Sequence, residues 1–398
     1  MTTTTDHSRA VLAGEHSHGA GQKPPASRAA RTRSFDVADF PMPTGREEEW
    51  RFSRMKDLAP GLEDTPTQDD GDTLAANYEV DLAGTPDLPG LAPGQWPRGS
   101  ALIPGDRSAV VASANTPEAL HVRIPAGTTV AEPVRVDVTG TAGRRSNAHH
   151  VIEAQDDSNA VVVFEHSGSG VHAGNVEIIV GDRAHLTVIS LQLWDDDAVH
   201  VGQHEAAVGA DAKYRHINVT LGGKAVRLTD NAHFTGPHGD VELLGVYFVD
   251  AGQHLEHQTY INHNAPDCIS RVTYKGALHG QDAHSVWIGD VLIGAEAEGT
   301  DTYELNRNLV LSEGARADSV PNLEIETGEI EGAGHASATG RFDDEQLFYL
   351  MSRGIPEDLA RKLVVRGFFL ELIQQIGVQE IEERLMELIE LELRGENR

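Results

Sequence analysis

The chain has 398 residues, 39% hydrophobic, 24% charged and 5% aromatic, with 62 acidic against 32 basic side chains and a formal net charge of −30. That length holds about two to three ordinary domains or one long stack of repeats, and the composition excludes collagen, coiled coil and wholesale disorder. The charge disfavours phosphate backbones and anionic membranes as partners, and the single cysteine, Cys268, rules out an internal disulfide or a cluster cradle of this chain's own thiolates.

Residues 1–34 hold a Thr run, Ser, Gly, Pro and three histidines, His7, His16 and His18, without apolar periodicity. They read as a disordered tail, not as a metal site. The N-terminus lacks the apolar stretch of a secretory signal and the apolar run 160–164 is too short to span a bilayer, so a cytoplasmic location is the default expectation. Residues 35–110 read as a small, partly helical region. A short helical pattern runs through about Leu62, acidic at 47–49 where the helix dipole favours negative charge, and Pro/Gly/Asp-rich chain follows.

From about 105 the texture changes, and 111–342 is read as a β core. Short runs of Val, Ile, Leu and Thr (134–138, 161–164, 186–188, 217–221, 246–248, 309–311) alternate with polar residues and are broken by Gly, Asp or Asn. No helix of ordinary length is expected there. A turn cassette, Gly-x-x-[Ala/Gly], precedes apolar strands at Gly181, Gly209, Gly236, Gly280 and Gly314, at intervals of 28, 27, 44 and 34 residues. The two near-equal intervals favour stacked coils of a β-solenoid over a sandwich or a cupin-like barrel, whose turns come closer together.

At residue 343 the period switches to 3.6, and 343–398 reads as a C-terminal helical domain. One helix occupies roughly 343–354, a second starts near Ile355 and a third runs from Gly377 to about Arg394. Leu359, Leu363, Phe368, Leu372 and Ile376 recur at spacings of three to five, as do Ile381, Leu385 and Leu388. Each helix therefore has an apolar stripe.

Seventeen of the 20 histidines lie in or beside the β block, in pairs such as His200/His204, His254/His257 and His279/His284. On a helix the first two pairs would share a face and grip a metal. On a strand, i and i+4 lie about 13 Å apart, so dispersed histidines are the better reading. No carboxylate–His metal triad, Gly-x-Ser-x-Gly elbow, dinucleotide fingerprint or phosphate-binding Gly/Lys loop occurs in a confirming context. Cys268 has no sequence-adjacent base and reads as a small buried hydrophobe. A β-helix lyase or His-rich cupin-like metalloenzyme stays open as an alternative, although six scattered Lys suit a lyase poorly.

The residues Pro321-Asn-Leu-Glu-Ile325 and His335-Ala-Ser-Ala-Thr-Gly340-Arg-Phe-Asp-Asp-Glu-Gln-Leu-Phe-Tyr-Leu350-Met-Ser-Arg-Gly-Ile355 carry a further signal. With His263, Ser270, Tyr274-Lys275-Gly276, Trp287-Ile-Gly289, Asn308-Leu-Val-Leu311 and, near the N-terminus, Glu48-Glu-Trp50-Arg-Phe52, they resemble the SufB/SufD family of iron–sulfur cluster assembly proteins. The likeness is dense from about 255 to 375, and the length is nearer to the SufD branch. It implies a right-handed parallel β-helix with helical ends in a non-catalytic subunit. It also implies pairing with a SufB-like paralogue through the β-helix, docking of a SufC-like ABC ATPase through the C-terminal helices, and a homodimer as a possible state of the isolated chain. By the same resemblance His335 meets iron or a nascent, transient iron–sulfur cluster at the interface with SufB, and Phe348, Tyr349, Arg353, Leu363, Phe368 and Leu372 belong to the partner-binding surface. The chain departs from many SufD sequences in having Ala333, not Cys, two residues before the histidine, so any thiolate there must come from SufB.

Overall fold

A computed structural model describes residues 30–68, 78–81, 90–342 and 344–393. Most of the expected tail, with His7, His16 and His18, lies outside the described residues. The alternating β block becomes two sheets. One contains β1 (Tyr78–Asp81), β3 (Val134–Gly140), β5 (Asn159–Gly168), β7 (His185–Trp194), β9 (Lys213–Thr220), β11 (Asp240–Val249), β13 (Ile269–Leu278), β15 (Thr300–Val310) and β17 (Ile330–Arg341). The other contains β2 (His121–Ile124), β4 (Arg145–Ala154), β6 (Val171–Val180), β8 (Val199–Val208), β10 (Ala225–Phe234), β12 (His254–His263), β14 (His284–Ile293) and β16 (Arg316–Ile325).

Consecutive strands alternate between the sheets and pair in parallel with the strand of the neighbouring coil, as β8 and β10 do in unbroken register. This is a β-solenoid of about eight turns. The parallel pairing sets aside the sandwich and the cupin-like barrel. Only β1 is antiparallel among the described strands, lying along β3 at the first end of the stack. Every second side chain of each strand enters the space between the sheets, where Val162, Ile178, Val188, Val208, Leu228 and Leu243 make one continuous core.

The turn cassettes have a definite geometry. At Gly181, Gly209 and Gly236 the third residue of each, Arg183, Asp211 and His238, is left-handed with φ of 59, 55 and 58°. Its amide donates to the turn of the next coil: Arg183 to the Ala210 carbonyl at 2.8 Å, Asp211 to Pro237 at 3.0 Å, His238 to Pro266 at 3.2 Å. The ladder thus continues around the corner. The cassettes at Gly280 and Gly314 sit at the opposite edge, between β13 and β14 and between β15 and β16, which accounts for the 44-residue interval.

Helices cover both outer faces. On the β8 side, Trp50, then Leu58 and Leu62 of α1 (Met55–Leu62), then Val110 and Val111 of α2 (Arg107–Ala114) pack on Ala173, Val201 and Ala225. Helix α2 falls where no helix is expected from sequence. Asp106 caps it by accepting from the Ala109 amide at 3.0 Å, and six of its eight residues are buried, so no polar face advertised it. On the β9 side, α4 (Glu357–Ile373) and α5 (Gln379–Glu392) lay Val365, Phe369, Ile373, Ile381 and Ile389 over Leu191, Val219, Val246 and Phe248. The preceding helix α3 (Asp344–Ser352) contributes little to this layer. Among the described residues no helix is long and apolar enough to cross a membrane.

The N-terminal layer is latched by a buried ionic group. Arg227, 1% exposed, donates to Asp106 Oδ2 at 2.5 Å and Glu256 Oε1 at 3.0 Å, and its guanidinium lies 3.7 Å from the Trp50 ring centroid. Ser53 Oγ donates to Glu256 Oε2 at 2.6 Å. Burial by itself raises the Glu256 carboxyl, but Arg227, His254 and Ser53 outweigh it and hold the group down to about 2. A depressed carboxylate contributes fully above its unfolded value near 4.5, and the contribution is lost as pH falls through 2. The Glu256 share of stability, about 3 kcal/mol, should therefore be lost between pH 4.5 and 2, and Glu256→Gln should lessen the fall in urea midpoint over that range by about that amount. Parallel curves for the two proteins would refute the latch.

Candidate functional site

A solenoid buries each coil against the next, so its last coil has nothing on one side. Here that coil is β16 and β17, and each is the terminal strand of its sheet. At the start of β16 and just past its end, the amides of Arg316 and Glu326 donate toward the β14 coil, to the Ala283 and Ile293 carbonyls, both at 2.8 Å. In a parallel ladder successive residues turn their amides to opposite neighbours, so odd-numbered residues of β16 face the open edge. Pro321, which has no N–H, occupies one of these positions. On β17, Phe342 donates to the Val310 carbonyl at 2.9 Å. The same alternation turns the backbone of His335 to the free edge.

The side chain of His335 belongs to an inward-facing row. In register it follows Val188, His216, Leu243, Val272 and Glu304. Glu304 is 1% exposed because His335's strand covers it, whereas His335 itself is exposed because no coil follows. Around it the interior turns polar. Asn306 Nδ2 donates to Tyr247 Oη at 3.0 Å, Ser319 Oγ to Asn306 Oδ1 at 2.8 Å and Ser337 Oγ to Ser319 Oγ at 2.8 Å. Two free strand edges, each about ten residues long, flank an exposed imidazole. Such edges are templates for another chain.

The six residues expected at a partner surface divide. Phe348 (72% exposed) and Tyr349 lie on the outer side of α3, where the Arg353 guanidinium stacks 4.9 Å from the Tyr349 ring and donates to its hydroxyl at 2.8 Å. Leu363 is also exposed, as is Leu359 one turn earlier. Phe368 is half-buried beside Lys275, whose Nζ reaches Glu371 at 2.8 Å. Leu372 is a correction: at 2% exposure it is part of the core between α4 and the sheet and has no surface to offer. The stripe read from sequence runs across two faces of α4. Its start is uncovered, and the buried face is Val365, Phe369, Leu372 and Ile373, continued past the helix end by Ile376.

The histidine pairs read from sequence dissolve, as strand spacing requires. His254 and His257 are on opposite faces of β12, and His254 meets His284 of the next coil, Nδ1 to Nδ1 at 3.1 Å. His279 pairs with Asp250 at 3.2 Å. His200 and His204 are two inward rows apart on β8 and join different groups, His166/His172/His200 and His204/His216/Asp230. Sequence reasoning missed both groups, because their members stand 6 to 34 residues apart and meet only where cross-coil register and packing between the two sheets bring them together. Burial pushes His150 and His166 down to about 3 and His216 and His257 to about 4, so these imidazoles are neutral at pH 7. Cys268 is buried in the core and burial raises its thiol to about 11, as expected of an inert small hydrophobe.

Comparison with known proteins bears on this geometry. The family described as SUF system FeS cluster assembly, SufBD core domain, matches residues 137–368, from the second strand of the odd-numbered sheet through most of α4. An iron-sulfur cluster assembly SufBD family protein of Mycobacterium tuberculosis (strain ATCC 25618 / H37Rv) is 50% identical over 367 residues, covering 90% of this chain and 91% of that protein. One of Mycobacterium leprae (strain TN) is 51% identical over 367 residues, 90% of this chain and 93% of that protein. A second SufBD family protein of the same M. tuberculosis strain is 29% identical over 230 residues, 58% of this chain and 27% of that longer protein, and the two carry consecutive numbers in their names. With the matched core spanning the whole uncapped end and the relatives covering nine-tenths of the chain, this β-solenoid protein belongs to the SufBD family of iron–sulfur cluster assembly proteins.

Proposed function

We propose that this chain is the SufD-type scaffold subunit of a SUF cluster assembly complex and that its uncapped end joins a SufB-like paralogue. The observation that carries the reading is the exposed His335 between two unpaired strand edges of about ten residues each, at the end of the stack where β16 and β17 close their sheets. A second solenoid of the same construction can continue both sheets across that junction and shield the polar residues at the last coil. Neutral imidazole suits iron. With Cys268 sealed in the core and Ala333 beside the histidine, sulfur ligands for a nascent cluster come from the partner. The cluster is cargo here, held transiently at the junction, and the chain works as a scaffold in the cytoplasm without turning over a substrate itself.

The uncovered apolar residues of α3 and the start of α4, Phe348, Tyr349, Leu359 and Leu363, are the proposed seat of a SufC-like ATPase. Closure of two ATPase subunits on ATP would bias the junction through α4, whose far half is packed on the solenoid, by binding one arrangement of the complex more tightly than the other.

In the reconstituted complex, His335→Ala should leave association and melting temperature unchanged while iron and acid-labile sulfide fall to background; normal iron and sulfide would refute its role. Ile325 faces the open edge of β16, so Ile325→Pro removes an edge donor without touching the ladder to β14. It should weaken binding of the paralogue at least about tenfold by calorimetry, since a strand edge without its donor pairs poorly. Undiminished affinity would place the junction elsewhere. Leu363→Glu should release the ATPase in a pull-down with stability altered by less than about 0.5 kcal/mol, whereas Leu372→Glu should melt the C-terminal layer.

A further inference from the structure

The inside of a solenoid is normally aliphatic, because every inward side chain is shut off from water by the coils on either side. This one encloses a carboxylate. Asp230 of β10 is 1% exposed and faces inward. Register sets it directly beside His204 of β8, and His216 of β9 comes across from the opposite sheet. His204 and His216 are 2% and 1% exposed. The buried basic residues Arg98, Arg145, Arg227 and Lys275 make their contacts on the outer faces or in the N-terminal layer. Asp230 therefore has imidazole, phenol and amide neighbours and no Lys or Arg contact among the described residues.

The distances have the dimensions of a metal site. His204 Nδ1 lies 3.3 Å from Asp230 Oδ1. His216 offers either nitrogen, Nε2 at 3.1 Å from His204 Nδ1 and Nδ1 at 3.7 Å from Asp230 Oδ1. One donor atom from each residue falls within 4.8 Å of the other two. Donors at 2.0–2.2 Å from a tetrahedral metal stand about 3.4 Å apart. Two of these buried atoms, Asp230 Oδ1 and His216 Nδ1, lack a well-formed hydrogen bond, which is costly unless something else satisfies them.

The carboxylate is also held as a ligand would be. Its other oxygen, Oδ2, accepts from Tyr274 Oη at 2.7 Å and Asn218 Nδ2 at 3.0 Å, the kind of outer support that orients a ligating oxygen. Tyr274 reaches Asp230 only because its row neighbour is Gly245, where a Cβ would stand 2.0 Å from the Tyr274 ring. Asn218, Gly245 and Tyr274 are consecutive in one row. The neighbouring trio is a useful contrast. His200 Nδ1 accepts from the Trp194 indole N–H at 3.1 Å, which puts the proton of the neutral ring on Nε2. That trio has no carboxylate and only two ring lone pairs to offer.

We propose that His204, His216 and Asp230 form a resident site for one divalent first-row transition metal, iron(II) or zinc, inside the solenoid. Two imidazoles and a carboxylate suit either ion, and the site is independent of His335 and of any cargo at the open end. Since all three donors are sealed between the sheets, the ion enters as the coils close on one another. Its role is structural: it neutralises Asp230 and ties β8, β9 and β10 together.

The full-length chain, unfolded in denaturant and refolded with Co2+ as the probe or with EDTA, tests this. Refolding with Co2+ should give one ion per chain, a visible d–d absorption and a melting temperature several degrees above the EDTA sample, whereas Co2+ added to the folded chain should enter slowly. His216→Gln and Asp230→Asn should lose the absorption and bind Co2+ at least 100-fold more weakly, while His335→Ala keeps both. Elemental analysis of anaerobically purified chain distinguishes iron from zinc. No stoichiometric Co2+ in the refolded wild type, absorption retained in Asp230→Asn, or absorption lost in His335→Ala would each overturn the site. Should Asp230→Asn fail to fold, His216→Gln carries the same readout.

Discussion

Every feature of this molecule follows from one constraint: a parallel coil can satisfy its backbone and bury its inward side chains only by stacking in register on another coil. Loop closure and the cost of ordering about ten residues per strand are offset most fully when both neighbours are present. Interior coils such as β8–β9 have two neighbours and are almost wholly buried. In the odd-numbered sheet the first coil is bordered by β1, laid antiparallel on β3. The last coil has no such cover among the described residues, and its amides and inward row are left facing outward. An exposed edge of this length is a liability for a chain that stays alone and a joint for one that does not.

The two outer faces show a different solution to burial. Sheet strands that alternate side chains in and out would expose half their apolar residues, and both faces are instead covered by helical layers. The C-terminal layer is held almost wholly by aliphatic contact, Val365, Phe369 and Ile389 on Leu191, Val219 and Phe248. The N-terminal layer adds buried charge, with Arg227 spanning Asp106 and Glu256 beneath Trp50. Apolar packing gives adhesion without much direction. A buried ion pair is stabilising only in one geometry, so it sets where the layer sits.

The interior polar row has the same origin. Register carries whatever stands at one position to the flank of its equivalent one coil away, so His204 and Asp230 become neighbours although 26 residues apart in sequence. Where such a row reaches the end of the stack, its last member is uncovered. Glu304 and His335 are adjacent members of one row, one sealed and one open, and differ only in having a coil beyond them.

Much of this was legible in the amino-acid order. Period-two alternation and the 28- and 27-residue cassettes indicated a coil repeat, because a left-handed turn residue and a short apolar strand recur wherever the chain must turn the same corner. The switch to period 3.6 marked the C-terminal helices for the same local reason, and the motif from His335 to Ile355 pointed to the family. What local pattern could not supply was anything that depends on which coil lies beside which. The 44-residue interval hid a change of edge, α2 was lost because burial on all sides erased its amphipathic signature, and Leu372 looked like Leu363 until packing put one inside and the other out. The pairing of His204 with Asp230 and the exposure of His335 were decided by tertiary stacking alone, since both are set by contacts between residues that the chain keeps a full coil apart.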